Sequence, residues 1–168
     1  MKPYMYLLLL LIPLFYGSSP DDFYNPSEYF PVLMERNDLE RSITLRDAQE
    51  IIDPGKIYYK DQTIYLNEKY KGIHIIDNHD PAHPQNIGFI NIPGCIDIAI
   101  KNKSLMADNA TDLVAISLAN SGQITVTERI QNIFPESTPP DLDYIPYMFT
   151  VANRPRNTVI VGWEKIDN

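Results

Sequence analysis

Hydrophobic residues in the middle of the chain recur as short runs separated by polar turns. Four runs rich in isoleucine and tyrosine lie between residues 55 and 92, and four more follow in the same order between 98 and 130. Short runs of β-branched and aromatic residues with tight polar connections are typical of β-strands. The eight predicted strands are KIYYK, TIYLNE, GIHIID and IGFINI, then IAIKN, SLMADN, LVAISL and ITVTERI.

The two groups of strands align with almost no gap. Residues 59–66 fall on 100–107 with a shift of 41, and residues 73–77 fall on 113–117 with a shift of 40. One residue fewer in a turn of the second group explains why the shift changes from 41 to 40. Units of about 40 residues with four strands are typical of β-propeller blades. The sequence therefore predicts an all-β fold, an incomplete β-propeller-like repeat protein with two four-stranded blades and a partial third.

The flanking segments lack this pattern. Residues 37–42 are compatible with a short helical turn that Asp38 could cap. Strands are predicted at 147–151 and, more strongly, at 157–164. The predicted organisation is a signal peptide (1–19), an extended N-terminal tether with a lead-in strand (20–54), two β repeats (55–135), and a proline-rich connection with a partial third blade (136–168).

The first residues have the pattern of a secretory signal. Lys2 precedes an apolar run that ends at Tyr16, and small residues follow at 17–19. The run of about 13 residues is too short to span a hydrocarbon core of about 30 Å. Ser18 stands where a lipoprotein would need cysteine. We expect an exported protein without a lipid anchor or a membrane span after cleavage, located in the periplasm, at the outer-membrane periphery or on the cell surface.

Composition excludes several classes of protein. The 168 residues carry a net charge of −8, which argues against binding of nucleic acid through its phosphates. A hydrophobic fraction of 44% argues against disorder. Cys95 is the single cysteine, so neither an intramolecular disulfide nor a zinc site built on several thiolates is possible. We expect Cys95 to be buried, and the sequence predicts no cofactor.

Residues 72–94 resemble an LVIVD repeat. In that repeat a strand ending in Asp leads to a D-P-x-x-P turn and a second strand. The matching segments here are the strand 72–77, the turn 80–84 and the strand start 87–89. The second unit departs from the pattern, because Ser117 replaces the aspartate and the D-P-x-x-P turn is missing.

Over residues 31–164 the chain is similar to exported LVIVD-repeat proteins of Bacteroidetes-type bacteria. The resemblance implies a β-propeller-like fold in the cell envelope, with no established enzymatic activity. Such proteins usually have enough repeats to close a ring, whereas two and a fraction blades leave open flanks. Self-association, a protein partner or the terminal segments could cover these flanks, and an N-terminal fragment of a longer propeller is an alternative.

Histidines and aspartates within ten residues form a candidate metal site. His74, Asp77, His79 and His83 could hold a divalent ion, although a turn with side chains bonded to its own backbone explains the same residues. The segment 108–112 could likewise be a calcium loop or a polar turn.

Tyrosines of the first unit are the candidate binding residues. Tyr58, Tyr65 and Tyr70 could face outward and bind glycans or proteins, or fill an interface between blades. Taken together, the sequence predicts a non-catalytic binding or scaffolding module of the cell envelope or surface. It would have a protein partner or self-associate, and its ligand is not specified. The alternative from another class is a metal-assisted hydrolase centred on His74, His79 and His83.

Overall fold

The computed structural model describes residues 26–102, 104–118 and 123–166. The predicted signal peptide lies outside the described residues. The described chain is all-β, with three antiparallel sheets. None of its helices is long and apolar enough to cross a membrane. In chain order the elements are β1 (Tyr29–Glu35), α1 (Arg36–Arg41), β2 (Thr44–Arg46), β3 (Pro54–Lys60), β4 (Thr63–Glu68), β5 (Gly72–Asp77), β6 (Gln85–Asn91), β7 (Ile98–Lys101), β8 (Ser104–Asn109), β9 (Asp112–Leu118), β10 (Ile124–Ile130), a 3₁₀ helix (Tyr147–Phe149) and β11 (Thr158–Lys165).

The eight predicted strands are confirmed as β3 to β10. Sheet 1 has the strand order β2-β6-β5-β4-β3, and sheet 2 has the order β10-β9-β8-β7. Within each sheet, four consecutive strands are neighbours, because short turns join them as an antiparallel meander. β2 adds a fifth strand at the edge of sheet 1.

The strand registers of the two sheets correspond. Thr63 pairs with Asp77 in sheet 1, and Ser104 pairs with Ser117 in sheet 2. These partners are separated by 41 and 40 positions along the chain. Residues that the sequence alignment equates therefore hold the same places in the two sheets.

The change of offset arises in one turn. Between β4 and β5 three residues separate the paired Glu68 and Gly72, whereas between β8 and β9 two residues separate Asn109 and Asp112. The shorter turn is therefore the position of the missing residue, as the sequence alignment predicted.

The terminal sheet joins the two ends of the described chain. β1 lies within the predicted tether and pairs antiparallel with β11, which confirms the strong strand predicted at 157–164. The strand predicted at 147–151 is wrong. Pro146 precedes that segment, and a bond from the Phe149 amide to the Pro146 carbonyl (2.8 Å) closes a 3₁₀ turn that directs Phe149 against Trp163.

The helix predicted at 37–42 is confirmed as α1, but its predicted cap is wrong. Glu35 occupies the N-cap position, with no side-chain hydrogen bond to the helix. Asp38 instead lies within the first turn, where a negative charge is favourable next to the exposed amides.

The main core lies between the facing sides of sheets 1 and 2. Ile73 and Ile90 of sheet 1 are fully buried, as are Leu105, Val114 and Ile116 of sheet 2. Side chains alternate between the two faces of a strand, so each sheet also has an outward face. These outward faces differ in what covers them.

Candidate functional site

The predicted metal ligands do not converge. His74 is fully buried in β5. His79 is exposed, and its Nδ1 pairs with Asp77 of the same loop. His83 is also exposed and pairs with Asp80. Among the described residues, no group of three histidine, cysteine, aspartate or glutamate side chains is arranged to hold a metal ion.

Residues 47–53, which we call the strap, cross the outward face of sheet 1. The crossing is required because β2 and β3 lie at opposite edges of this sheet. The amides of Ile52 and Asp53 donate to the buried Glu68 carboxylate at 3.2 and 2.7 Å. Asn86 donates to a strap carbonyl at 2.8 Å. Every strap residue is exposed, so polar bonds rather than buried apolar side chains hold it.

His74 lies between the two side chains that hold the strap. Its Nε2 is 3.1 Å from Glu68, and its Nδ1 is 3.4 Å from the Asn86 amide nitrogen. A proton on Nε2 is donated to the Glu68 carboxylate, which has no proton of its own to offer when it is ionised. Burial alone would raise the pKa of Glu68, but bonds from Asp53, His74 and Ile52 outweigh it and lower this pKa. Glu68, His74 and Asn86 therefore hold the strap in place, and we call these three side chains the clasp.

The candidate tyrosines lie where sheets contact each other. The Tyr58 hydroxyl donates to the Ile100 carbonyl of sheet 2 at 2.8 Å. Tyr65 is half-buried against the main core, and burial raises its pKa. Tyr70 has a positive φ of 63° in the β4–β5 turn and packs on Gly162 of β11. The three side chains therefore connect sheets 1, 2 and the terminal sheet.

The segment considered as a calcium loop is the turn between β8 and β9. The fully buried Asp112 carboxylate accepts from Arg36 at 2.5 Å and from Arg129 at 2.6 Å. Burial alone would raise the pKa of Asp112, but these two guanidinium groups outweigh it and lower the pKa. Asp112 thus joins α1 to sheet 2, and its charge is already neutralised.

Cys95 is fully buried, as expected from the sequence. Burial raises the pKa of its thiol well above the ordinary value, so the thiol is protonated at neutral pH. Its side chain hydrogen-bonds with Asn67, the Asp97 carbonyl and the Asp108 carboxylate. A protonated, enclosed thiol is a packing residue and not a nucleophile.

A cleft of about 720 Å³ lies on the outward face of sheet 2. Its floor includes Ala99, Met106 and Leu113 from three neighbouring strands. Residues 134–138 and Ile160 of β11 form the opposite wall. The volume is within the range of ligand sites in proteins, and the floor is apolar.

Hydrogen bonds to β11 fix the wall of the cleft. Arg154 is buried and makes a two-bond ion pair with Glu136 of the wall. The same guanidinium donates to the Thr158 carbonyl at 3.0 Å. Trp163 Nε1 donates to the Ser137 carbonyl at 3.1 Å. The cleft is therefore preformed.

Charged groups of the cleft differ in how they are neutralised. Lys56 pairs with Asp97 at the rim, and Arg154 pairs with Glu136 of the wall. Asp108 lines the floor, and its Oδ1 accepts from the amides of Ile96 at 2.9 Å and Asp97 at 2.8 Å. No lysine or arginine in the described part of the chain pairs with Asp108, and burial raises its pKa. Asp108 is the cleft carboxylate without a cationic partner.

Of the residues that line this cleft, the sequence analysis singled out those of the segment 108–112, as a calcium loop or a polar turn and not as part of a cleft. A signal existed in β8, where Leu105 is buried in the core while the next residue, Met106, faces the cleft. Apolar residues on both faces of a strand indicate a second apolar surface. The wall at 134–138 had no comparable signal, because its contacts with β11 are distant in sequence. A comparison of the chain with protein-family models, with curated proteins and with solved structures finds no match.

Proposed function

We propose that the chain is a non-catalytic binding module whose cleft on sheet 2 docks a protein partner. The observation that carries this proposal is the preformed apolar cleft bordered by exposed apolar side chains. Ile96 and Phe134 line it and are 38% and 40% exposed. Ile130, which pairs with Leu113 across β9 and β10, is 48% exposed. Contiguous exposed apolar surface of this kind favours an interaction site.

The blade-like arrangement supports the same proposal. Two meanders with matching registers stack face to face, so the outward face of sheet 2 is where a further blade would pack. We propose that the chain is an LVIVD-like repeat protein of β-propeller type, exported to the cell envelope or surface. In such a stack, a partner that covers the cleft takes the place of the neighbouring blade.

The placement of the ionisable groups favours binding over catalysis. His74 and Glu68 hold the strap, Asp112 holds two arginines, and Cys95 is protonated inside the core. General acid–base and nucleophilic chemistry both need such a group within reach of a substrate. We therefore propose no reaction for the cleft.

The test is a charge placed on the cleft floor. Met106→Glu should weaken capture of the envelope partner at least about tenfold, because a charged side chain then replaces apolar floor that the aliphatic residues of the partner would cover. Tyr59→Glu, at a 58% exposed position of β3 in sheet 1, is the matched control. Circular dichroism and thermal unfolding establish that both variants fold.

The outcome is measured by quantitative affinity purification from an envelope extract, with the native mass determined by light scattering. A partner retained at fixed stoichiometry by wild type and Tyr59→Glu, but lost by Met106→Glu, supports the proposal. Equal binding by both variants overturns the cleft as the site. A clean homodimer that Met106→Glu dissociates would replace the foreign partner by a second copy of the chain.

A further inference from the structure

On the basis of the proposed docking site, we propose that the cleft recognises a lysine side chain flanked by aliphatic residues in the protein partner, with Asp108 as the anionic contact. The inference depends on three observations about the cleft: an apolar floor, a carboxylate within it, and the absence, among the residues that the structure describes, of a cation paired with that carboxylate.

The floor matches the stem of a lysine. Ala99, Met106 and Leu113 offer aliphatic surface from β7, β8 and β9, and Asp108 lies two residues beyond Met106 on the same strand. Side chains two apart on a strand share a face. Lysine packs its methylene stem along apolar surface and keeps its ammonium at a polar group. An apolar floor with a carboxylate on the same face is complementary to this shape.

Among the cleft carboxylates, Asp108 is the one available to a foreign cation. Asp97 is paired with Lys56, and Glu136 is held by Arg154. The recorded bonds to the Asp108 carboxylate come from backbone amides, among them those of residues 96 and 97, and from the Cys95 thiol, and none of these donors carries a positive charge. The net charge of −8 on the whole chain further favours a basic partner.

The electrostatics of Asp108 agree with this assignment. Burial without a cation raises its pKa. An ammonium that docks beside it stabilises the charged form, and the affinity for that ammonium falls when acid protonates Asp108. Preference for a cation should therefore weaken as the pH drops through the pKa of this carboxyl group.

Methyl NMR of the full chain provides the test, because Met106 lies in the cleft and reports on occupancy. Met34 and Met148 lie outside the cleft lining and serve as internal references. The probes are three capped pentapeptides that carry lysine, norleucine or glutamate between two leucines. They share a backbone and aliphatic neighbours; norleucine has the four-carbon stem of lysine without the ammonium, and glutamate has a shorter stem with a negative head group.

We expect the Met106 methyl signal to titrate with the lysine peptide about fivefold more tightly than with the norleucine peptide, since a hydrogen-bonded ion pair in a partly buried site contributes this much. The glutamate peptide should be weakest. In Asp108→Asn the lysine preference should disappear while norleucine binding remains. That variant keeps the acceptor Oδ1 for both backbone amides, so the fold is retained and only the charge is lost.

Two failures are distinguishable. If lysine and norleucine peptides bind equally, or Asp108→Asn keeps the lysine preference, the recognition of lysine is overturned while the docking site stands. If none of the peptides moves the Met106 signal, the lysine recognition is overturned, and the Met106→Glu capture experiment decides separately on the docking site.

Discussion

Sheets 1 and 2 share strand order and register, but their outward faces are covered in opposite ways. Sheet 1 is crossed by the strap, which polar bonds from Glu68 and Asn86 hold in place. Sheet 2 faces the wall formed by residues 134–138 and Ile160, and a cleft of about 720 Å³ separates the two. Two meanders with matching registers can thus differ completely in accessible surface. What distinguishes them is the connecting chain, since strand pairing is the same in both.

Each sheet has a buried carboxylate beside the turn between its second and third meander strands, and the two carboxylates have different hydrogen-bond donors. Glu68 of sheet 1 accepts from two backbone amides and the His74 imidazole. Asp112 of sheet 2 accepts from two guanidinium groups. The bonds to Glu68 hold one local segment, whereas removing the buried charge of Asp112 deprives Arg129 of its ion pair and leaves Arg36 with the exposed Glu40. We therefore expect Asp112 to matter more for global stability and Glu68 for local order.

The largest effect is expected for Asp112→Ala. It leaves Arg36 and Arg129 without their shared partner and should lower the free energy of unfolding by about 3 kcal/mol or more. Urea denaturation at neutral pH measures the loss. Glu40→Ala removes the exposed partner of Arg36 and should cost less than about 0.5 kcal/mol. Equal losses in the two variants would contradict the role of the buried carboxylate.

A smaller and local effect is expected for Glu68→Gln. The amide group places a donor opposite the His74 proton, so we expect a loss of about 1–2 kcal/mol. Hydrogen exchange should accelerate at the amides of Ile52 and Asp53, which donate to this side chain. Glu50→Gln changes an exposed strap carboxylate and is the matched control. Unchanged exchange in Glu68→Gln would show that the clasp does not hold the strap.

The same carboxylate gives the strap a pH dependence with a defined sign. The pKa of Glu68 is lowered in the folded state, so its contribution to stability is present above the pKa of about 4.3 for an unfolded glutamate. It is lost as the pH falls through the lower folded value. Protection of the strap amides relative to their intrinsic exchange rate at each pH should therefore decrease in acid in the wild type, and this decrease should be smaller in Glu68→Gln.

The strands were predictable because their signal is local. Runs such as TIYLNE and LVAISL carry β-branched residues between tight turns, and both are strands at those positions. The strand predicted at 147–151 failed because its composition is β-like, while Pro146 and contacts of Phe149 with distant residues impose a 3₁₀ turn. Local propensity gives way to tertiary packing in that segment.

The candidate site was less predictable for the same reason. Nearness in sequence suggested that His74, His79 and His83 act together. His74, however, is buried beside Glu68, whereas His79 and His83 lie in an exposed loop. The cleft combines strands of sheet 2 with a wall about 30 residues further along the chain. Only the folded chain brings these segments together.

A moderate effect is expected where sheets 1 and 2 meet. Tyr58→Phe removes the hydroxyl that donates to the Ile100 carbonyl and should cost about 1 kcal/mol. Tyr59→Phe alters the exposed neighbouring side chain and should be close to neutral. Thermal and urea unfolding of the two variants compare a partly buried hydrogen bond between the sheets with a solvated hydroxyl. A neutral Tyr58→Phe would mean that apolar packing alone joins the sheets.

The smallest effect on stability is expected for the exposed ion pair at the same junction. Lys56 of β3 pairs with Asp97 just before β7, and both side chains are more than half exposed. Lys56→Gln should therefore change the free energy of unfolding by less than about 0.5 kcal/mol, and salt should remove even that difference. Urea denaturation at low and high ionic strength measures it.

The same substitution sharpens the contrast between the two outward faces. Without Lys56, Asp97 becomes a second carboxylate without a cation at the cleft, so the lysine peptide should bind sheet 2 more tightly while stability is unchanged. The strap on sheet 1 should show unaltered hydrogen exchange, because the clasp has no contact with this pair. Unchanged or weaker binding of the lysine peptide to Lys56→Gln would contradict the expected contribution of Asp97 to the recognition of a cation in the cleft.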